Sequence, residues 1–372
     1  MASRALAARL ARADWGLIVA AGGLSLVGTL LVWSATHEQV GPALAVRHLV
    51  TTAVGVAAAL AVLLLDVRRL RALAPVAYVG GVAGLLLVLT PLGQTVNGSR
   101  SWLFLPGGFS LQPAELAKIG LVLGLAVILA EGRDRWRPPR AREVLLAWAL
   151  AGLPVVLILL QPDLGSALVL GMLTVGVVAA SGASWRWTTA ALAGTAAAVV
   201  AAVRVPLLDP YQVDRLLAFR DPSLDPLGIG YQTRQVRLAI ASGGWDGAGL
   251  GQGPHTQGGF VPFQHTDFIF SVAAEELGLL GAGGLLLLLG FLVLRALVVA
   301  LRCEDPFARL VAVGVASWFA FQIVQNVGMN LGLLPVTGLP LPFLSYGGSS
   351  MLACWVAVAL VSAAQQDGCG GR

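Results

Sequence analysis

Residues 261–294 read "VPFQHTDFIFSVAAEELGLLGAGGLLLLLGFLVL", and this stretch decides the fold. From Phe268 to Leu294 the only charged residues are Glu275 and Glu276. That run exceeds the roughly 20 apolar residues needed to cross a bilayer. It also lacks the polar face that a long helix on a soluble protein keeps towards water. It is a membrane span. Three polar residues, His265, Thr266 and Asp267, crowd its entrance, and the two glutamates lie about two turns further in. An ionisable group inside a span costs about 2.5–3.5 kcal/mol on insertion scales, so it faces a partner or a cavity.

The rest of the 372-residue chain agrees: 57% of it is hydrophobic and 12% charged, against about 25% charged in soluble domains. Ten segments have the length and apolarity of spans: 15–35, 47–65, 73–92, 113–131, 143–161, 164–181, 187–204, 268–294, 306–329 and 348–365. Trp15 and Trp33 bracket the first at about 27 Å, where interfacial aromatics belong. The first run is too long for a cleavable signal and lacks a small-residue cleavage site, so it reads as a span that stays. The fold class expected is all-α, a polytopic membrane protein of about ten helices forming one domain over residues 1–372.

The net charge of +5 does not point to nucleic acid, because the basic residues cluster between spans. With the N-terminus in the cytoplasm, the inner segments hold Arg4, Arg9, Arg12, Arg68, Arg69, Arg71, Arg133, Arg135, Arg137, Arg140, Arg142, Arg186, Arg295, Arg302, Arg309 and Arg372. These are sixteen of the 24 basic residues, the bias expected of cytoplasmic loops. An even number of spans returns the C-terminus to the same side. The one long connection, 205–266, then lies outside, and loops of that length are seldom idle. It carries Arg215, Arg220, Arg234 and Arg237 on the side that positive charge normally avoids. The three cysteines point to neither a disulfide framework nor a zinc site.

Several constellations could carry chemistry. "SLQPAELAKIG" places Glu115 and Lys118 three apart on one face of span four, and Lys118 is the sole lysine of the chain. It either serves a partner in a cavity or pairs with Glu115 to lock helices together. "QPDLGSA" breaks the chain at Pro162 and Gly165, where Asp163 can hold a cation, pair with Lys118 or cap span six. "NGSRSWL" (97–103) is expected as an outer turn offering Arg100. Arg234 and Arg237, three apart, share a helical face that could grip a diphosphate. The glycine-rich run after them follows no βαβ strand and no Walker motif occurs, so no nucleotide cofactor is expected. Asp267 has two readings, an N-cap of span eight and a general base.

"GLLPVTGLPLPFLSYGGSS" (332–350), with "HTDFIFSVAAEELGLLG", "QPDLGSA", "QPAELAK" and "DPLGIGYQ", resembles the SEDS family of shape, elongation, division and sporulation proteins. The five motifs occur in the family's order over residues 97–350, and "TGLPLPF" is similar to the rod-shape branch. The resemblance implies a ten-span peptidoglycan glycosyltransferase of the bacterial plasma membrane that polymerises lipid II into glycan strands on the outer side. It also implies a class B penicillin-binding protein as transpeptidase partner, alongside other elongation-complex proteins. In the family the aspartate of His-Thr-Asp is essential, which carries over to Asp267. The residues matching Lys118 and Asp163 are important there too. His265, Thr266, Glu276, Ser345 and Ser349 fall in these motifs as supporting candidates. Where the family has a Glu shortly before His-Thr-Asp this chain has Phe263, and Ala248 stands where a lysine is usual.

The chemistry implied needs a base for a sugar hydroxyl and positive charge for a departing diphosphate, not two glycosidase carboxylates. Asp267 is the candidate base, acting with inversion at the anomeric carbon. Arg100, Arg215, Arg220, Arg234, Arg237 and Lys118, or a divalent cation (Mg or Mn) at Asp163 or Asp267, are the candidates for neutralising the diphosphate. Two other readings compete: a lipid II flippase and a division-type polymerase. A transporter would gather its charges near the midplane and often show inverted repeats, whereas these candidates crowd the outer end and no repeat is visible.

Overall fold

The computed structural model describes residues 9–96, 98–105, 109–130, 138–204 and 228–368. Each of the ten expected spans falls on a helix. In chain order these are α1 (Trp15–Val40), α2 (Ala43–Leu63), α3 (Val67–Leu89), α4 (Pro113–Ala130), α5 (Ala141–Leu159), α6 (Leu164–Ala180) and α7 (Trp185–Arg204). Two further helices, α8 (Ile229–Ser242) and α9 (Pro254–Gln257), precede α10 (Ile269–Arg302), α11 (Pro306–Asn330) and α12 (Gly348–Gly368). Eight of these helices are long and apolar enough to cross a membrane; α6 is apolar but shorter. The chain is an all-α, polytopic integral membrane protein.

Aspartates start several helices. Asp14, Asp66, Asp163 and Asp305 accept backbone N–H bonds from Leu17, Arg69, Ser166 and Ala308 at 3.2, 2.8, 2.9 and 2.9 Å, satisfying donors that a helix leaves open. At the end of the bundle where α1 begins, ion pairs tie elements distant in sequence: Arg295 to Asp14 at 2.8 Å, and Arg9 to Asp367 and Arg71 to Asp305 at 3.2 Å each. Cys303 at this end is disulfide-bonded and Cys354 is free and buried, which corrects the expectation of no disulfide.

The opposite end departs from the sequence reading in two ways. The expected turn at 97–103 belongs instead to a small antiparallel sheet of β1 (Gln94–Val96), β2 (Ser99–Leu105) and β3 (Phe109–Leu111). "SRSWLFL" opens by alternating serine with a larger residue, and its aromatics favour strands. The connection expected at 205–266 is also not all loop, since α8 and α9 lie in its described part. Arg215 and Arg220 lie outside the described residues.

The glycine-rich run works as backbone packing. Gly278 interrupts α10 with φ +66°, and a Cβ there would strike Gly247 N and Trp245 O. Leu280 N–H donates to Trp245 O at 3.1 Å, and Ala248 and Gly249 N–H donate to Glu275 and Glu276 carbonyls at 2.9 and 3.0 Å. The run is thereby stitched to the kink in α10, close enough that only glycine fits.

Candidate active site

A cavity of about 270 Å³ opens at the end of the bundle that carries the strands. Segments far apart in sequence build its wall. The turn between α5 and α6 supplies Asp163, and the residue before α4 supplies Gln112. The turn before α10 supplies Thr266 and Asp267, the segment between α11 and α12 supplies Thr337 and Tyr346, and the start of α12 supplies Ser349. The cavity therefore brings together two aspartates that stand apart in sequence.

Asp267 is half-buried, and the helix-start position of α10 falls one residue later, on Phe268, with no side chain bonded there. The N-cap expectation for Asp267 is thus corrected: Thr-Asp before an apolar helix looks like a cap, but the chain turns through Phe268 first. The Asp267 carbonyl accepts from Asn326 Nδ2 at 2.9 Å and from Asn330 Nδ2 at 3.2 Å. Asn326 Nδ2 also donates to Leu339 O at 2.7 Å. Gln322 Nε2 donates to Pro340 O at 2.7 Å and Gln325 Nε2 to Pro335 O at 2.9 Å. Gln322, Asn326 and Asn330 follow one another at i, i+4 along α11, so they form one stripe. It holds the irregular segment 335–340 on one side and the Asp267 turn on the other.

Flanking residues complete the clamp. Ser345 Oγ donates to Thr266 O at 2.6 Å, and Tyr346 N–H to His265 O at 2.9 Å. The His265 ring lies 5.8 Å from that of Tyr346, and burial lowers the His265 pKa below its ordinary 6.5. Ser349 Oγ accepts from Gln112 N–H at 2.9 Å and donates to Ser110 O at 3.2 Å. Asp163 caps α6 and also lines the cavity: its Oδ2 accepts from Ser166 Oγ at 2.7 Å and Gln112 Nε2 at 3.2 Å.

The family model for FtsW, RodA and SpoVE, described as cell cycle protein, matches residues 8–368. The chain belongs to the SEDS family. Relatives named peptidoglycan glycosyltransferase lie on both sides of the family. The probable peptidoglycan glycosyltransferase FtsW of Tolumonas auensis is 36% identical over 356 residues, 94% of this chain and 91% of its own. The peptidoglycan glycosyltransferase MrdB of Escherichia coli K12 is 36% identical over 343 residues, 91% of this chain and 89% of its own. Among solved structures, a chain of a peptidoglycan synthase complex, solved for the coordination of polymerization and crosslinking, superposes with a TM-score of 0.80. It is 39% identical, with 95% of this chain and 98% of that one covered. The crystal structure of the Thermus thermophilus rod shape determining protein RodA gives 0.72 at 35% identity, covering 95% and 97%.

The remaining candidates of this SEDS chain sit elsewhere. Lys118 is fully buried and does not line the cavity; its Nζ donates to Glu115 Oε1 at 2.6 Å and Gln322 Oε1 at 3.2 Å and lies 4.7 Å from the Trp318 ring centroid. Of the two pairings the sequence left open, with Asp163 and with Glu115, the second is the one Lys118 forms, one turn away on its own helix. Through Gln322 it meets the stripe that holds Pro340. Arg100 closes the end of α3, donating to Thr90 O at 2.7 Å and Gly93 O at 3.2 Å, where a cation complements the helix C-terminus. Arg234 and Arg237 are exposed on α8, away from the cavity wall, and Arg237 Nη2 donates to Gly332 O at 3.1 Å. Glu275 accepts from His255 and Thr256 N–H at 2.7 and 2.9 Å, capping α9, while Glu276 accepts from Ser34 Oγ at 2.6 Å and Gln257 Nε2 at 3.1 Å. The stripe itself, with Gln112, Trp102 and Tyr346, was missed by the sequence reading. Three carboxamides at helical spacing in and just beyond an apolar span were the available signal.

The Lys118–Glu115 pair yields a test. Replacing one partner strands a buried charge, so Lys118→Met or Glu115→Leu alone is expected to lose about 3–5 kcal/mol of stability. The double variant Glu115→Leu/Lys118→Met recovers most of that loss, read by thermal unfolding in detergent. A double variant as unstable as the singles would contradict the pairing. The stripe yields another. Asn326→Leu leaves the Leu339 carbonyl without this donor, at about 1–3 kcal/mol, and leaves the Asp267 carbonyl to Asn330 alone, which loosens the Asp267 turn. Polymerase turnover is expected to fall at least tenfold at a temperature where the variant remains folded; full turnover would show that the clamp is dispensable.

Proposed function

We propose that this SEDS peptidoglycan glycosyltransferase polymerises lipid II into glycan strands, with Asp267 as the general base. The observation that carries the reading is the placement of Asp267 on the cavity wall with its main chain pinned from α11. In this reaction a sugar hydroxyl attacks the anomeric carbon of a lipid diphosphate. The bond to the anomeric carbon forms as the bond to the diphosphate oxygen breaks, inverting the centre. Diphosphate leaves readily, so the demanding steps are removing the hydroxyl proton and receiving the negative charge. Asp267 takes the proton. Arg215 and Arg220 of the 205–266 connection are the candidates for receiving the diphosphate; Arg234 and Arg237, off the cavity wall, and Lys118 and Arg100, each engaged with protein groups, support the frame.

The orientation proposed has both termini in the cytoplasm and the cavity facing outside. It is supported by Arg9, Arg71 and Arg295 gathering at the end of the bundle remote from the cavity. A cavity at one end of the helices also favours a polymerase over a midplane transporter. "TGLPLPF" supports the elongation branch over the division branch. Kinship to a chain solved in a complex that couples polymerization to crosslinking supports a class B penicillin-binding protein as partner.

A divalent cation fits the cavity's oxygen donors. Asp163 and Asp267 offer carboxylates of the kind that Mg and Mn favour. No group of three or more His, Cys, Asp or Glu comes together among the described residues, so waters and substrate phosphates would fill the remaining positions, where the ion would offset phosphate charge.

Asp267→Asn is expected to insert and fold as the parent does while polymerising lipid II about 10²-fold more slowly or worse. Parental turnover by the purified variant would sink the assignment of the base. Chelation with EDTA is expected to suppress polymerisation and added Mg or Mn to restore it. Undiminished turnover in chelator would remove the cation from the scheme and leave the base untouched.

A further inference from the structure

Phe263, four residues before Asp267, is placed against its own energetics. Its φ is +54°, in the left-handed region where glycine and asparagine sit easily and a bulky side chain does not. The turn imposes this conformation from both sides. The Phe263 carbonyl accepts from Thr266 N–H at 3.1 Å and Phe268 N–H at 3.4 Å. The next residue, Gln264, is buried and anchored, its Nε2 donating to Ala35 O at 2.7 Å and Thr256 O at 3.0 Å. Nor does burial compensate, because Phe263 is 42% exposed. A glycine would serve the turn better, so the ring has another use.

That use lies in the cavity that Phe263 lines, together with Trp102, Tyr346, Gln112, Thr266 and Asp267. Aromatic side chains interleaved with polar ones suit a pyranose. Sugar C–H groups carry slight positive charge and lie against the electron-rich face of a ring, while the hydroxyls find hydrogen-bonding partners around the edge. We propose that Phe263 is a sugar-binding platform: its ring holds the apolar face of a pyranose so that the reacting centre meets Asp267. This deepens the polymerase reading and rests on it. The strain is retained at a functional site, as held left-handed residues often are.

The experiment compares Phe263→Gly, Phe263→Leu and Phe263→Tyr in purified protein, measuring the melting temperature and lipid II polymerisation. Phe263→Gly is expected to melt at or above the parental temperature, because glycine relieves the backbone, and to raise KM about tenfold with kcat little changed. Phe263→Leu raises KM similarly, and Phe263→Tyr, which keeps the ring, restores it. An unchanged KM in Phe263→Gly overturns the proposal, as it would if the ring only anchored the chain to lipid head groups. A loss confined to kcat also overturns it, since the residue would then act only by ordering the Asp267 turn. Varying monomeric lipid II and a preformed lipid-linked glycan separately tells whether the platform serves acceptor or donor, by which KM moves. The parent protein is the control for the underlying reading: absent turnover there sinks the polymerase, whereas normal turnover with an unmoved KM sinks only the platform.

Discussion

Irregular backbone at the edge of a membrane survives only if something donates to its carbonyls. An unsatisfied carbonyl away from water costs several kcal/mol, and helices escape that cost by bonding to themselves. The segment between α11 and α12 is not helical over residues 333–347, so its donors have to come from elsewhere. They come largely from α11, where Gln322, Gln325 and Asn326 reach Pro340, Pro335 and Leu339. Asn326 Nδ2 then reaches across to the Asp267 carbonyl as well. One helix thus sets the distance between the two walls of the cavity, and the site inherits the rigidity of a packed span.

The same constraint sorts the few charges the chain carries. Asp14, Asp66 and Asp305 start helices, Glu275 starts α9, and Glu115 satisfies Lys118. Each is a charge kept at membrane depth or at its margin by bonding close at hand, where a low dielectric makes such bonds strong and their absence expensive. Asp163 and Asp267 differ in location: both line the cavity, where a ligand can meet them. Asp163 combines two tasks, since one oxygen caps α6 while the other accepts from Ser166 and Gln112. A cation drawn to it would have to share that second oxygen.

The spans were legible in the sequence because about 20 apolar residues in a row admit few other outcomes. Rarity flagged Lys118 correctly as a residue with a partner, and i, i+3 spacing named Glu115, yet sequence could not tell a buried pair from a cation serving a cavity. Arg100 shows the opposite failure: isolated in "NGSRSWL" it looked free, but the strands fold it back onto the end of α3. The amide stripe was passed over because counting charges overlooks neutral carboxamides, although in hydrocarbon these demand partners too. Of the two readings of Asp267, the cap fails by one residue. Helix starts inferred from Thr-Asp patterns assume that the next residue is already helical, and here Phe268 is not.

Placement also bears on the proposal that a single carboxylate serves as the base. A base is effective when held within about half an ångström of its working position, and a loop aspartate beside an open cavity would ordinarily wander further. Here Thr266 and Asp267 are held by main-chain carbonyls, from Ser345 on one side and from Asn326 and Asn330 on the other. Bonds made through the backbone fix where the side chain begins, and so narrow the region that the carboxylate can sweep beside the cavity.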